Sequence, residues 1–319
     1  MNTHAVFLDH ASLDLGDLDL SPLHQAFGEL LLHPASRPEQ VVERLAGAQV
    51  AIVNKVPIDA ACLAACPELR LILITATGTN NVDLAAARAR GIAVCNCQGY
   101  GTPSVAQHTL MLLLALATSL PDYQAAIRAG RWQQASQFCL LDFPIVELAD
   151  KTLGLLGHGE LGSAVARLAE AFGMRVLLGQ LPGRPPRPDR LPLDELLPQV
   201  DALSLHCPLT EQTRNLIGAE QLRLMKPGAF LINTARGGLV DEQALAEALR
   251  SGHLGGAATD VLSQEPPRDG NPLLAGDIPR LIVTPHSAWG SREARQRIVT
   301  QVVENAQAFF AGAPRRLVN

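Results

Sequence analysis

The chain is short of aromatic side chains, of positive charge and of long apolar runs. Phe, Trp and Tyr make up 4% of its 319 residues. A core must therefore be built from Leu, Ala, Val and Ile, which suits parallel sheets buried on both faces. Acidic residues (31) outnumber Lys and Arg (26), for a formal net charge of −5. That balance excludes bulk attraction to nucleic acid or to an anionic membrane surface. Met1 to Asp9 shows no basic stretch followed by an apolar core and a cleavage site, so no signal peptide is expected. The most apolar run, Leu110 to Leu120, falls short of the roughly 20 residues that span a bilayer. It reads as a buried or interface helix, and the expected compartment is the cytoplasm. The six cysteines are Cys62, Cys66, Cys95, Cys97, Cys139 and Cys207. Cys95-x-Cys97 has no CxxC or HxxxH partner further along, so no metal site is expected. Both thiols would point to one face of a strand as small buried apolar groups, and disulfides are not expected.

Apolar residues make up 47% of the chain and charged residues 18%, the profile of a well-buried globular protein, and the length fits two domains. Strand and helix patterns alternate throughout. Strands are expected at His4–Leu8, Val50–Val53, Leu71–Ile74 and Ile92–Cys95, with helices at Gln40–Leu45, Ala60–Ala65 and Val82–Ala89. Pro103 opens a long helical pattern, Ser104 to Arg128, followed by an irregular arm from Arg131 to Asp150. Further strands are expected near Leu153, Val176, Ala202–Leu205, Ala229–Asn233, Ala257–Val261 and Leu281–Thr284, and a last helix at Glu293–Phe309.

The most informative stretch is Gly157-x-Gly159-x-x-Gly162. An apolar run, Leu153 to Leu156, feeds into it, an amphipathic stretch, Ser163 to Phe172, follows, and Arg175 to Leu178 reads as the next strand. Strand, glycine turn, helix and strand form the unit that binds a dinucleotide pyrophosphate. Gly157 permits the tight turn, Gly159 lets the backbone approach the phosphates, and Gly162 lets helix and strand pack closely. The helix N-terminus, with Glu160 and Leu161, offers N–H groups and partial positive charge to the phosphates.

Three more polar segments follow predicted strands of the same half, where doubly wound folds place ligands. They carry Arg236 (in Asn233 to Gly238), Glu265 (in Asp260 to Pro267) and His286 (in Thr284 to Trp289). A guanidinium can grip and polarise a 2-keto acid with its planar fork. Histidine can deliver a proton near neutral pH, and a carboxylate can orient the imidazole and favour its protonated form. Reduction of a ketone by a nicotinamide needs those roles.

With these residues in view, the chain resembles the D-isomer-specific 2-hydroxyacid dehydrogenase family over essentially its whole length. The glycine fingerprint, His206-Cys207-Pro208-Leu209-Thr210 with Thr213-Arg214, Asn233 to Gly237, Asp260-Val261 with Glu265-Pro266, and Thr284-Pro285-His286 carry the resemblance. It implies that Arg236 binds the substrate carboxylate and carbonyl, that His286 is the proton donor in reduction and that Glu265 pairs with it. The backbone N–H groups of Thr77 and Gly78 would receive the substrate carboxylate. Thr109, His206, Cys207, Pro208, Thr213, Thr234, Ala235, Arg236, Asp260 and His286 would line the cofactor, with Asp260 near the nicotinamide amide. The segments Gln98 to Thr109, Phe143 to Leu148 and Trp289 resemble the glycerate dehydrogenases, or hydroxypyruvate reductases, within that family.

One position departs from the NAD pattern. The acid expected about 20 residues beyond the glycines, to bind the ribose 2′-hydroxyl, is replaced at Gly179-Gln180-Leu181. Gln180 is neutral and Arg184 follows in a Pro-rich loop, which points to use of NADPH as well as NADH. The fold expected is α/β, with two doubly wound parallel-sheet domains and an active-site cleft between them. Residues 1–99 and 287–319 would form the substrate domain, and residues 100–286 the NAD(P)-binding Rossmann domain. The expected activity is reduction of hydroxypyruvate to D-glycerate by a homodimer. Glyoxylate or another 2-keto acid is the alternative substrate. A formate-type dehydrogenase is disfavoured by Glu265, because that branch carries Gln there. A non-enzymatic nucleotide-sensing partner protein is the rival of another class.

Overall fold

The computed structural model describes residues 3–319, and strand alternates with helix along nearly all of them. The chain forms two compact units, Met1–Gly101 with Gly290–Asn319, and Thr102–Trp289.

The first unit opens with β1 (His4–Phe7), α1 (Ser21–Ala26), β2 (Glu29–Leu32), α2 (Val41–Arg44) and β3 (Val50–Val53). It continues through α3 (Ala60–Ala65), β4 (Leu71–Ile74), α4 (Leu84–Ala89) and β5 (Ala93–Cys95). The five strands form one parallel sheet in the order β2-β1-β3-β4-β5. β3 and β4 are buried at every position, as continuous apolar runs in a doubly covered parallel sheet should be. Asp59 and Asp83 cap α3 and α4 by accepting from the N–H groups of Cys62 and Ala86. The alternation read from the sequence passes over α1 and β2. β2 is a half-exposed edge strand whose existence depends on pairing with β1, not on a buried apolar run of its own. Cys97 lies just past the end of β5 and not on it. Cys95 and Cys97 are both buried, and burial pushes the Cys97 thiol up to about 12.

The second unit holds α5 (Thr102–Ala117), α6 (Leu120–Arg128), β6 (Thr152–Leu156), α7 (Glu160–Ala171), β7 (Arg175–Gly179) and α8 (Leu193–Leu196). After these come β8 (Ala202–Leu205), α9 (Ala219–Leu224), β9 (Phe230–Asn233), α10 (Glu242–Arg250), β10 (Gly256–Thr259) and β11 (Leu281–Val283). Its parallel sheet has the order β11-β10-β9-β8-β6-β7. One face is covered by α5 and α7 through Leu113, Leu116, Val165 and Ala169. The other is covered by residues such as Leu196, Leu222, Leu245 and Leu249. The chain then returns to the first unit as α11 (Arg292–Phe310). There the buried Arg295 grips both carboxylate oxygens of Asp17 at 2.8 and 2.7 Å and donates to Leu13 O.

The single helix expected from Ser104 to Arg128 is in fact two, α5 and α6, bent by 61°. Pro121 explains the break, since its ring would collide with the carbonyl four residues back in a continuous helix. The corner is then fixed from a distance. Ser119 adopts a left-handed φ of 50°, and Arg280 donates to Ser119 Oγ at 2.8 Å and to Leu116 O at 3.0 Å, satisfying the free end of α5. No single described helix is long and apolar enough to cross a membrane. Residues 131–150 form no regular helix or strand, and Trp132, Phe138, Leu141 and Ile145 stand exposed on them.

Candidate active site

In the second unit the chain leaves β6, crosses to β7 on one side and returns to β8 on the other. The crevice at the carboxyl ends of β6 and β8 is the place where such a sheet receives ligands. The glycine turn sits there. Gly157 has φ 100°, and a Cβ on it would lie 2.5 Å from the His206 carbonyl carbon at the end of β8. A Cβ on Gly162 would lie 2.1 Å from Gly157 O. At Gly159, by contrast, a Cβ would meet nothing within 4 Å. Gly157 and Gly162 are thus required by the fold, while Gly159 opens onto space beside the start of α7. Gly159 is also the N-cap of that 12-residue helix and supplies no side-chain cap. The leading N–H groups of Glu160, Leu161 and Gly162 are therefore left for a ligand, and a dinucleotide pyrophosphate fits them. The Glu160 carboxylate turns to Thr102 and accepts from its hydroxyl at 2.7 Å.

At the end of β7, Gln180 Nε2 donates to the carbonyls of Leu181, Arg184 and Pro185 at 3.1, 3.0 and 3.2 Å. This folds the Pro-rich loop back on the strand and leaves the buried Gln180 Oε1 with no protein partner. Arg187 pairs with Asp189, whereas Arg184 is exposed. At the end of β8, His206 Nε2 lies 2.8 Å from Ser204 Oγ, and its buried Nδ1 has no protein partner. Burial pushes His206 down to about 4, so it is neutral near pH 7. Cys207 is buried and its thiol is raised to about 11 by the same cause. Thr213 closes the following turn by donating to Pro208 O and accepting from Thr210 N–H, both at 2.8 Å.

Arg236, Glu265 and His286 come from loops after β9, β10 and β11. Asn233 braces the first loop by accepting from Ala235 N–H and donating to Arg236 O at 2.9 Å, and Thr234 is buried beside it. The second loop abuts the first, since a Cβ on Gly237 would strike the Leu262 backbone. Glu265 Oε1 accepts from Leu262 N–H at 2.8 Å, and Oε2 lies 2.6 Å from His286 Nδ1. Both side chains keep about a third of their surface exposed, 33% for Glu265 and 37% for His286. Burial raises the Glu265 carboxyl, but the hydrogen bonds from His286 and Leu262 and the charges of His286 and Arg236 outweigh it. The net result lies below the ordinary carboxylate value. Glu265 is therefore ionised at neutral pH, bound to Nδ1, and leaves Nε2 of the imidazole for another partner. Such a pair can deliver or accept one proton, beside a guanidinium able to hold an anionic carbonyl compound.

Residues 110–288 match the NAD-binding domain of D-isomer-specific 2-hydroxyacid dehydrogenases. The chain belongs to the D-isomer-specific 2-hydroxyacid dehydrogenase family. It is an NAD-dependent oxidoreductase of that family. It is 47% identical to a glycerate dehydrogenase of Methylorubrum extorquens, over 100% of this chain and 99% of that one. A hydroxypyruvate reductase of Blautia hydrogenotrophica is 36% identical, over 98% and 99%. An acyclic imino acid reductase solved with NADPH and D-arginine superposes with a TM-score of 0.82 at 28% identity, covering 99% of this chain and 100% of that one.

The remaining dehydrogenase candidates, Thr77 and Gly78, lie in the first unit, on the loop after β4. Thr77 Oγ1 donates to Cys97 O at 2.9 Å, and Asn96 Nδ2 donates to Thr77 O at 2.8 Å. Asp260 is 1% exposed, and its carboxylate is held by the loop after β11, with His108 Nε2 of α5 3.6 Å from Oδ1. Oδ1 accepts from Thr284 Oγ1 and Ser287 N–H, and Oδ2 accepts from Ala288 N–H. Two residues that brace these loops escape a reading of the sequence. Glu242 accepts from Ser263 N–H, Ser263 Oγ and Asn271 Nδ2, and so tethers the loop that carries Glu265. Its only local signal is an acid in the first turn of α10. The other is His108, whose ring meets Thr284 across 176 residues of sequence.

Proposed function

We propose that this enzyme reduces hydroxypyruvate to D-glycerate and catalyses the reverse oxidation. The Glu265–His286 pair beside Arg236 carries the reading, and the 47% identity to a glycerate dehydrogenase supports the choice of substrate. NAD(P)H, held at Gly159 and the leading N–H groups of α7, would supply the hydride for the keto carbon. Arg236 holds the keto acid through its planar fork and favours the negative charge that develops on the carbonyl oxygen. His286 gives that oxygen its Nε2 proton, and Glu265 keeps Nδ1 bonded so that Nε2 faces the substrate. Thr77 and Gly78 are proposed substrate contacts of the first unit.

NADPH serves at least as well as NADH in this reading. No carboxylate at the end of β7 repels a 2′-phosphate, and Arg184 is exposed next to Gln180. The enzyme works in the cytoplasm as a homodimer, a state supported by the exposed Phe138 (90%) and Leu141 (77%) of the arm.

The test is a panel of hydroxypyruvate, glyoxylate, pyruvate and larger 2-keto acids, each with NADH and NADPH, on wild type and His286→Ala. Hydroxypyruvate should give the highest kcat/KM, and His286→Ala should lose about 10²-fold or more in kcat with little change in NADH affinity. A variant within a few-fold of wild type removes His286 from the chemistry. A kcat/KM for NADH more than tenfold above that for NADPH defeats the cofactor reading.

A further inference from the structure

Two consecutive residues of the partly buried helix α5 each meet a different loop of the proposed site. His108 Nε2 is 3.0 Å from Thr284 Oγ1, at the end of β11. Thr109 Oγ1 is 2.9 Å from Thr234 Oγ1, at the end of β9. Neighbouring positions on a helix point about 100° apart, so one rigid helix reaches two loops that are separated by β10.

The supply of protons fixes the direction of each contact. Thr284 gives its single hydroxyl proton to Asp260 Oδ1 at 2.5 Å, so it can only accept from His108, and Nε2 of His108 must carry a hydrogen. Thr109 gives its proton to Val105 O at 2.8 Å, so it accepts from Thr234. Beyond Thr284 the chain of contacts continues. Asp260 Oδ1 accepts from Ser287 N–H and Oδ2 from Ala288 N–H, both at 2.9 Å, and Asp260 O accepts from His286 N–H at 2.8 Å. His286 itself has φ 53°, a left-handed state that a residue other than glycine keeps only where its surroundings enforce it.

We infer that His108 and Thr109 are positioning residues. His108 acts through Thr284 and Asp260 on the loop that presents His286, and Thr109 acts through Thr234 on the loop that presents Arg236. The inference rests on the reductase reading given above. Neither residue touches the keto acid in it. Each sets the aim of a group that does, and a small displacement of such a group is enough to lower a rate steeply.

The experiment compares His108→Phe, His108→Gln, Thr109→Val and Thr109→Ser with wild type and His286→Ala, using hydroxypyruvate and NADH, with NADH binding followed by fluorescence. His108→Phe keeps a ring and loses the donor, and kcat should fall at least tenfold while the keto acid KM and the NADH Kd stay within threefold. His108→Gln restores a donor and should recover most of that loss. Thr109→Val should raise the keto acid KM at least threefold and lower kcat with it, and Thr109→Ser should restore both. A His108→Phe enzyme with kcat within twofold of wild type overturns the inference, and so does a loss that Gln does not repair. His286→Ala separates the two failures. If it retains full turnover the proposed function falls, whereas if it is inactive beside a normal His108→Phe only the positioning role falls. Should His108→Phe not fold, ¹⁵N NMR of the histidines in the wild-type protein decides. A protected Nε2–H on His108 supports the inference, and an Nδ1–H tautomer overturns it.

Discussion

The two α/β units run their first strands in the same order, β2-β1-β3-β4-β5 in one and β7-β6-β8-β9-β10 with β11 added in the other. Each therefore has a switch point between its first strand and its third, where strand ends splay and backbone N–H groups face outward. The units fill that place in opposite ways. After β1 comes Asp9, 5% exposed, whose carboxylate accepts from the N–H groups of Asn54, Lys55 and Val56 after β3 at 2.8, 2.7 and 3.3 Å. After β6 comes Gly157, and at Gly159 the space beside the helix N-terminus is open. One crevice carries its own anion, and the other is shaped to receive one. A shared topology thus creates the opportunity for a site, and one or two side chains decide whether it is used.

The comparison breaks most sharply at the glycines. Gly157→Ala should cost more than about 3 kcal/mol, since the new Cβ meets the His206 backbone and φ 100° is strained for alanine. Gly159→Ala should leave stability within about 0.5 kcal/mol of wild type yet raise the NADH Kd at least tenfold. Urea melts and NADH fluorescence read the two effects separately. Equal loss of stability in both variants would end the distinction between a glycine the fold requires and one the ligand requires.

Next in size is the built-in anion. Asp9→Ala leaves three N–H groups at the first switch point without their carboxylate, a loss of about 3 kcal/mol by the usual worth of charge-assisted hydrogen bonds. Millimolar sulfate should raise the Tm of this variant more than that of wild type, because an anion from solution can replace the missing one. An Asp9→Ala protein as stable as wild type would mean the two crevices do not differ in the way described.

The third test concerns chemistry held by the second unit. Glu265 lies below the ordinary carboxylate value, so its charge persists across any assay range near neutrality. Glu265→Gln keeps the shape and removes that charge, which favours the doubly protonated imidazole beside it. The alkaline limb of the reduction profile should therefore move to lower pH, and the acid limb of the oxidation profile should move the same way. If neither limb moves, the pair is structural and not part of the proton path.

The smallest effect belongs to the first unit. The hydrogen bond from Arg295 is the main reason Asp17 drops to about 2 from an ordinary 3.8, with burial opposing it. A depressed carboxyl adds stability above its unfolded value and loses it as pH falls through its folded one. Wild type should therefore exceed Asp17→Asn in Tm at pH 6, and the gap should close between about pH 4 and pH 2. A gap that persists at pH 2 would assign the difference to packing.

The line between what could be read and what could not follows distance along the chain. The apolar runs of β3, β4, β6 and β8 are legible because a strand buried on both faces must be apolar throughout. The glycine turn is legible because its three residues, six positions long, contain the whole of its geometry. Even the break between α5 and α6 has its local sign in Pro121. Beside these, β2 exists only because β1 pairs with it, and the end of α5 is satisfied by Arg280 from 164 residues away. Asp9 finds its backbone partners 45 to 47 residues on, and His108 finds Thr284 after 176. Local sterics and the burial of apolar runs act between near neighbours, so the order of residues determined the alternation of elements and the dinucleotide turn. A hydrogen bond needs its donor and acceptor within about 3 Å, and that proximity for Asp9, His108 and the Glu265–His286 pair was decided only when the strands were laid side by side.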